Sequence, residues 1–209
     1  MTTMRNYSIT RDWHFAICMV VISLCFSSAC KRTGGGGIDI LGPADETADA
    51  AKVVASANED LTKIKVLYQQ NEGKREDLKK AMEANNTEVA KKIADDVVYL
   101  INDGASSGNS AVEKIQKAQE MQINDDYREY LRLKEESLKR ELEAFENYRM
   151  AARTLRESYD PKNAAMREKV KAEFKTRSEN YRKVMEEARD YSKRANELAK
   201  DALRRQQSQ

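Results

Sequence analysis

From Met166 to Ala202 apolar side chains recur at helical spacing: Met166, Val170, Phe174, Tyr181, Val184, Ala188, Tyr191, Ala195, Leu198 and Ala202, with Arg177 taking one place in the row. After two steps of four the intervals alternate three and four, the pattern of a helix that buries one narrow seam. Neither glycine nor proline interrupts it. A chain carrying such a run must supply a second apolar helix to cover that seam, either its own or another copy's.

The same periodicity fills the preceding hundred or so residues. Val53, Ala57, Leu61, Ile64 and Tyr68 predict a helix over about 44–71. Leu78, Met82, Val89, Ile93, Val97 and Leu100 predict a second over 74–102. Leu131, Leu138, Phe145, Ala152 and Tyr159, spaced by seven, with Leu142 and Leu155 on the same face, predict a third over 110–158. Gly73 and the stretch Asp103-Gly104-Ala105-Ser106-Ser107-Gly108-Asn109 read as the turns between them, with Asn109 or Ser110 capping the third helix. Asn124-Asp125-Asp126 is the weak point of that helix, because Asp126 with Glu129 resembles a capping box and marks a kink or restart. Asp160-Pro161 then opens a fourth helix over 161–205, Asp160 as cap and Pro161 in the first turn, leaving 206–209 as a polar tail.

The expected fold class is therefore all-α: an elongated helical bundle or antiparallel coiled-coil hairpin behind a flexible N-terminal tether. A hairpin closed at Asp160-Pro161 sets Ala152 opposite Val170, Leu138 opposite Val184, Leu131 opposite Tyr191, Tyr127 opposite Ala195, and Phe145 opposite Arg177. Self-association through the same seam competes with that hairpin, so a homo-oligomer stays open.

The N-terminal segment has a different character. Arg5 and Arg11 precede an apolar stretch from Trp13 to Phe26, followed by the small residues Ser27-Ser28-Ala29 and then Cys30. A basic region, a short apolar region and a small-residue site form an export signal over residues 1–29, cut between Ala29 and Cys30. At about 14 residues the apolar run falls short of the ~20 that a spanning helix needs. Four consecutive glycines, Gly34 to Gly37, make residues 30–43 a flexible leash.

The Ser27-Ser28-Ala29-Cys30 segment resembles the leader and lipobox of bacterial lipoproteins, with Ala29 fitting and Ser27 standing where that family usually has leucine. The resemblance covers residues 1–31. It implies that Cys30 becomes the new amino terminus, carries fatty acyl chains (diacylglyceryl and palmitate-type) and holds the protein on a membrane. Lys31 after the cysteine, in place of aspartate, implies the outer membrane facing the periplasm. Cleavage by signal peptidase I at the same bond would instead release a soluble periplasmic protein, for which a holdase-type chaperone with helical arms is the natural alternative.

Loss of residues 1–29 would remove His14, Trp13, Cys18 and Cys25, so the remaining 180 residues would contain no imidazole and only one thiol. Ser-His-Asp and Cys-His catalysis, the usual zinc sites and disulfides are then excluded. No enzyme activity, cofactor or metal is expected. With Arg5, Arg11 and Asp12 gone, 35 basic residues stand against 34 acidic ones, and the signs alternate within single turns. That leaves no cationic stripe for nucleic acid. The paired acids Asp95-Asp96, Asp125-Asp126, Glu135-Glu136 and Glu186-Glu187 point about 100° apart on a helix and read as solvated faces. Tyr181 and Tyr191 lie on the seam and read as core, whereas Tyr130 and Tyr148 lie beside it and are the candidate partner contacts. The function this supports is a lipid-anchored envelope protein whose helical domain spaces or binds an envelope-protein or cell-wall partner; a helical enzyme built from carboxylates and tyrosines alone is the third alternative.

Overall fold

The computed structural model describes residues 45–160 and 162–207. Cys30, the leader, the glycine tether and Pro161 lie outside the described residues. Four helices follow one another: α1 (Thr47–Glu83), α2 (Thr87–Gln119), α3 (Asp125–Ser158) and α4 (Ala164–Gln207). No strand occurs among the described residues, and the chain is all-α, as its periodicity requires.

Consecutive helices pack antiparallel, and cross-helix polar pairs fix the sense. Asp60 on α1 meets Lys114 on α2, and Lys74 meets Asp96. Gln116 and Asn102 on α2 meet Glu135 and Arg149 on α3. Ser137 on α3 donates to the Ala188 carbonyl on α4, and Asp126 accepts from Arg205. One apolar core runs through all four, from Ala50, Val54 and Ile64 through Val97, Ile101 and Ile115 to Leu131, Leu138, Leu155, Val170 and Val184.

The helix boundaries depart from the sequence reading, and each departure has a local cause. Gly73 is inside α1, not in a turn; α1 instead ends in a Schellman motif, with Asn85 at φ 52° and the Asn85 and Asn86 amides donating to the Met82 and Ala81 carbonyls. Asn86 then caps α2 by accepting from the Val89 amide at 3.3 Å. Two adjacent asparagines thus do the work expected of the glycine.

Gly104 and Gly108 are likewise interior to α2, where both are buried, and Ser110 is no cap but donates to Asp60. These glycines serve close helix packing: a side chain at 104 would meet Leu67 of α1, and one at 108 would meet Leu142 of α3. The third helix therefore restarts where its weak point lies. Asn124, not Asp126, is the N-cap, accepting from the Tyr127 amide at 2.8 Å, and Glu129 pairs with Arg132 instead of closing a capping box. Arg128 reaches back to the Gln119, Met121 and Ile123 carbonyls, satisfying the end of α2.

At the last connection Asn163 caps α4 by accepting from the Met166 amide, while Asp160 accepts from Lys162 within the turn. Starting α4 at Ala164 shifts the α3–α4 register by close to one turn from the expected pairing. Phe145 consequently lies against Tyr181, ring centroids 6.3 Å apart, and Arg177 pairs with Glu173 of its own helix instead. Helix α4 continues through Gln207, so residues 206 and 207 extend the helix and are not a separate tail.

Candidate functional site

The candidate partner contacts separate in the structure. Tyr148 is only 1% exposed and belongs to the core, because its ring packs against Phe174 and Tyr181 of α4 and the Arg75 side chain of α1 covers it. Tyr130 stays half-buried near the start of α3, stacked on Tyr127 with centroids 6.2 Å apart and planes 11° off parallel. Lys134 lies one turn on, its ammonium 5.7 Å from the Tyr130 ring and 3.2 Å from Asn196 Oδ1 on α4. Burial pushes the Tyr130 and Tyr127 hydroxyls above their ordinary pKa and the Lys134 ammonium below its own.

The core stripe of α3 that carries Leu155 and Tyr148 continues, seven residues at a time, to Glu141 and then Lys134. Glu141 is half-buried and has no hydrogen bond or ion pair among the described residues. Burial pushes its carboxyl up to about 7, with Lys134 and Arg189 opposing. A seam that is apolar at one end and ionisable at the other was not recognised from the spacing, although Glu141 and Lys134 fall in the row with Tyr148 and Leu155.

Arg75 of α1 is the second feature the periodicity did not reveal. Its guanidinium lies 4.5 Å from the Tyr181 ring and 5.1 Å from the Tyr148 ring, and it pairs with Glu72. Tyr68, Phe145 and Phe174 complete the surrounding aromatic cluster, with centroids 5.7 to 6.3 Å apart. Burial raises both the Tyr148 and Tyr181 hydroxyls well above the usual phenol range, which keeps them neutral. This cluster joins α1, α3 and α4; its chemistry is packing and cation–π attraction. Tyr181 is core as expected, whereas Tyr191 is only half-buried, with Arg194 over its ring at 5.6 Å.

The acidic pairs also divide. Asp95 and Asp96 are surface partners of Arg156 and Lys74. Glu135, expected on a solvated face, is buried: Gln116 and Gln119 of α2 donate to its two oxygens and Lys139 pairs with it, and these bonds hold its pKa below the ordinary value against the opposing desolvation. Asp60 is buried in the same way under Ser110, Lys114 and Lys63, all of which lower its pKa. Such carboxylates are fully engaged in holding helices together. Among the described residues no group of three or more His, Cys, Asp or Glu is arranged to hold a metal, and no helix is long and apolar enough to cross a membrane. Tyr99 on α2 is 73% exposed, a separate aromatic group that the seam-based reading passed over. No protein-family model, curated protein or solved structure matches this chain.

Proposed function

We propose that this protein is a lipid-anchored bacterial envelope protein, with acyl chains on Cys30 and a helical bundle that acts as a spacing or binding module. One observation carries the reading: a basic, apolar and small-residue leader ends at Ala29-Cys30, and the glycine tether after it leads into an all-α domain. Two acyl chains bind a membrane durably where one is marginal, since each buried methylene contributes about 0.8 kcal/mol. In the domain itself the buried carboxylates Asp60 and Glu135 are engaged by neighbouring helices. That supports a structural or interaction role over one that needs reactive side chains. Partner contact falls to the half-buried Tyr127–Tyr130 pair and to exposed Tyr99.

The test is the intact mass of the chain purified from the membrane fraction of a bacterial host, beside a Cys30→Ser control. The reading expects a chain beginning at residue 30, heavier than its amino acids by the acyl groups, and a control lacking that added mass. A native chain of unmodified mass that leaves with the soluble fraction and suppresses client aggregation would establish the holdase alternative instead.

A further inference from the structure

We propose that the joint between α1, α2 and α3 binds a single water molecule, held between the Asn71 amide and the α2 backbone one turn before Gly104. Ala57, Ile64, Asn71 and Leu78 follow one another by sevens along α1, and all four are buried. Asn71 thus stands at a core position where the row calls for an aliphatic side chain. It is 2% exposed, and neither its Oδ1 nor its Nδ2 has a hydrogen-bond partner among the described residues. Side-chain polar atoms left in that state are costly, so a buried amide of this kind marks a place that a polar group fills.

Asn71 lines a cavity of about 10 Å³ whose walls include Leu67, Tyr68 and Phe145, with Leu100, Ile101 and Gly104 on the α2 side. That volume is close to one water-sized sphere and too small for a metabolite. A helical side chain covers the turn before its own Cα. With no side chain at 104 to cover the preceding turn, the backbone acceptor comes from that turn, where the Leu100 and Ile101 carbonyls each retain a lone pair beyond the helix bond. A water here donates to Asn71 Oδ1 and to one of these carbonyls and accepts from Nδ2, three bonds in all, the usual number for a buried water. The nearest atom to a Cβ at 104 is Leu67 Cδ1 at 3.6 Å, so an alanine methyl fits and takes the space the water needs.

Oxygen-17 relaxation dispersion on the full chain counts long-lived internal waters and tests this directly. Asn71→Leu removes both polar anchors, and Gly104→Ala fills the space while leaving the anchors in place. Each variant is expected to lose one long-lived water relative to the unmodified sequence while keeping its helical circular dichroism. An unchanged count in a folded Gly104→Ala chain overturns the proposal, and that variant alone decides it if Asn71→Leu does not fold.

Discussion

Gly108 of α2 lies directly under Leu142 of α3: a Cβ at position 108 would overlap Leu142 Cδ2 and stand 3.2 Å from its Cγ. Gly108→Ala gains about 1 kcal/mol of helix propensity but forces the leucine or the helix pair to move, and overpacking of this kind costs about 1–3 kcal/mol. The expected net loss is about 1 kcal/mol in urea unfolding. In a Leu142→Ala background the same substitution should stabilise instead. Equal effects in the two backgrounds would show that the α2–α3 contact does not run through this pair.

Gly73 is the opposite case. It is exposed inside α1, and a Cβ there meets nothing within 4 Å. Gly73→Ala should raise stability by about 0.5–1 kcal/mol, from helix propensity and a less flexible unfolded chain. A loss of similar size would instead place a turn at this position.

These glycines mark what the sequence disclosed and what it hid. Periodicity is a one-dimensional record of burial, so the seam of α4 between Val170 and Ala195 and the sevenfold row from Leu131 to Tyr159 located the core faces of both helices, while Met166 at the start of the seam is exposed. Glycine carries two opposed meanings, turn former and close-packing residue, and only the neighbouring helix decides between them. Leu67 and Leu142 made Gly104 and Gly108 packing residues, while the turns went to Asn85-Asn86 and Asn124, whose side chains supply caps. Tyr148 likewise depends on its neighbours: in the observed register its ring meets Phe174 and Tyr181 of α4, and Arg75 of α1 covers it from the third side. Glu141 escaped notice because a glutamate in a helix ordinarily faces water.

Glu141 gives the bundle a pH response near neutrality. Its carboxyl is pushed from an ordinary value of 4.5 up to about 7 in the folded chain. Between those two values the folded state holds a proton that the unfolded state has released, so stability falls as pH rises through this window. One unit corresponds to about 1.4 kcal/mol, and partial solvent access trims the whole effect to about 1–2 kcal/mol. Glu141→Gln should flatten the dependence from pH ~5 to ~7.5 in thermal unfolding and leave the variant the more stable of the two at the upper end. A wild-type chain whose stability is flat across that range would show that Glu141 titrates as an ordinary surface carboxylate.

Asp60 acts with the reverse sign. Hydrogen bonds from Lys114 and Ser110 at 2.7 Å, with Lys63 at 3.2 Å, hold its carboxyl well below the ordinary 3.8. Its contribution is complete above the ordinary value and drains away as pH drops below it, because the folded state resists a proton that the unfolded state accepts. Asp60→Asn should destabilise at neutral pH and remove part of the acid-side slope, read as the urea midpoint between pH ~2 and ~5. An unchanged acid limb would assign that slope to other carboxylates, Glu135 foremost.

Arg75 brings α1 against both α3 and α4 through one side chain. Its guanidinium faces the Tyr181 and Tyr148 rings at 4.5 and 5.1 Å, and Glu72 holds it from its own helix. Cation–π attraction of a partly desolvated guanidinium is worth about 0.5–2 kcal/mol, and the buried stem adds packing that alanine cannot replace. Arg75→Ala should therefore cost about 2–3 kcal/mol. Arg75→Lys restores charge but not the flat face that lies on two rings, and should recover less than half. The discriminating measurement is a double-mutant cycle with Tyr181→Leu, which keeps an apolar side chain while removing the ring. A coupling of about 1 kcal/mol is expected, and additive losses would mean that Arg75 acts through its stem and through Glu72, with the rings as mere neighbours.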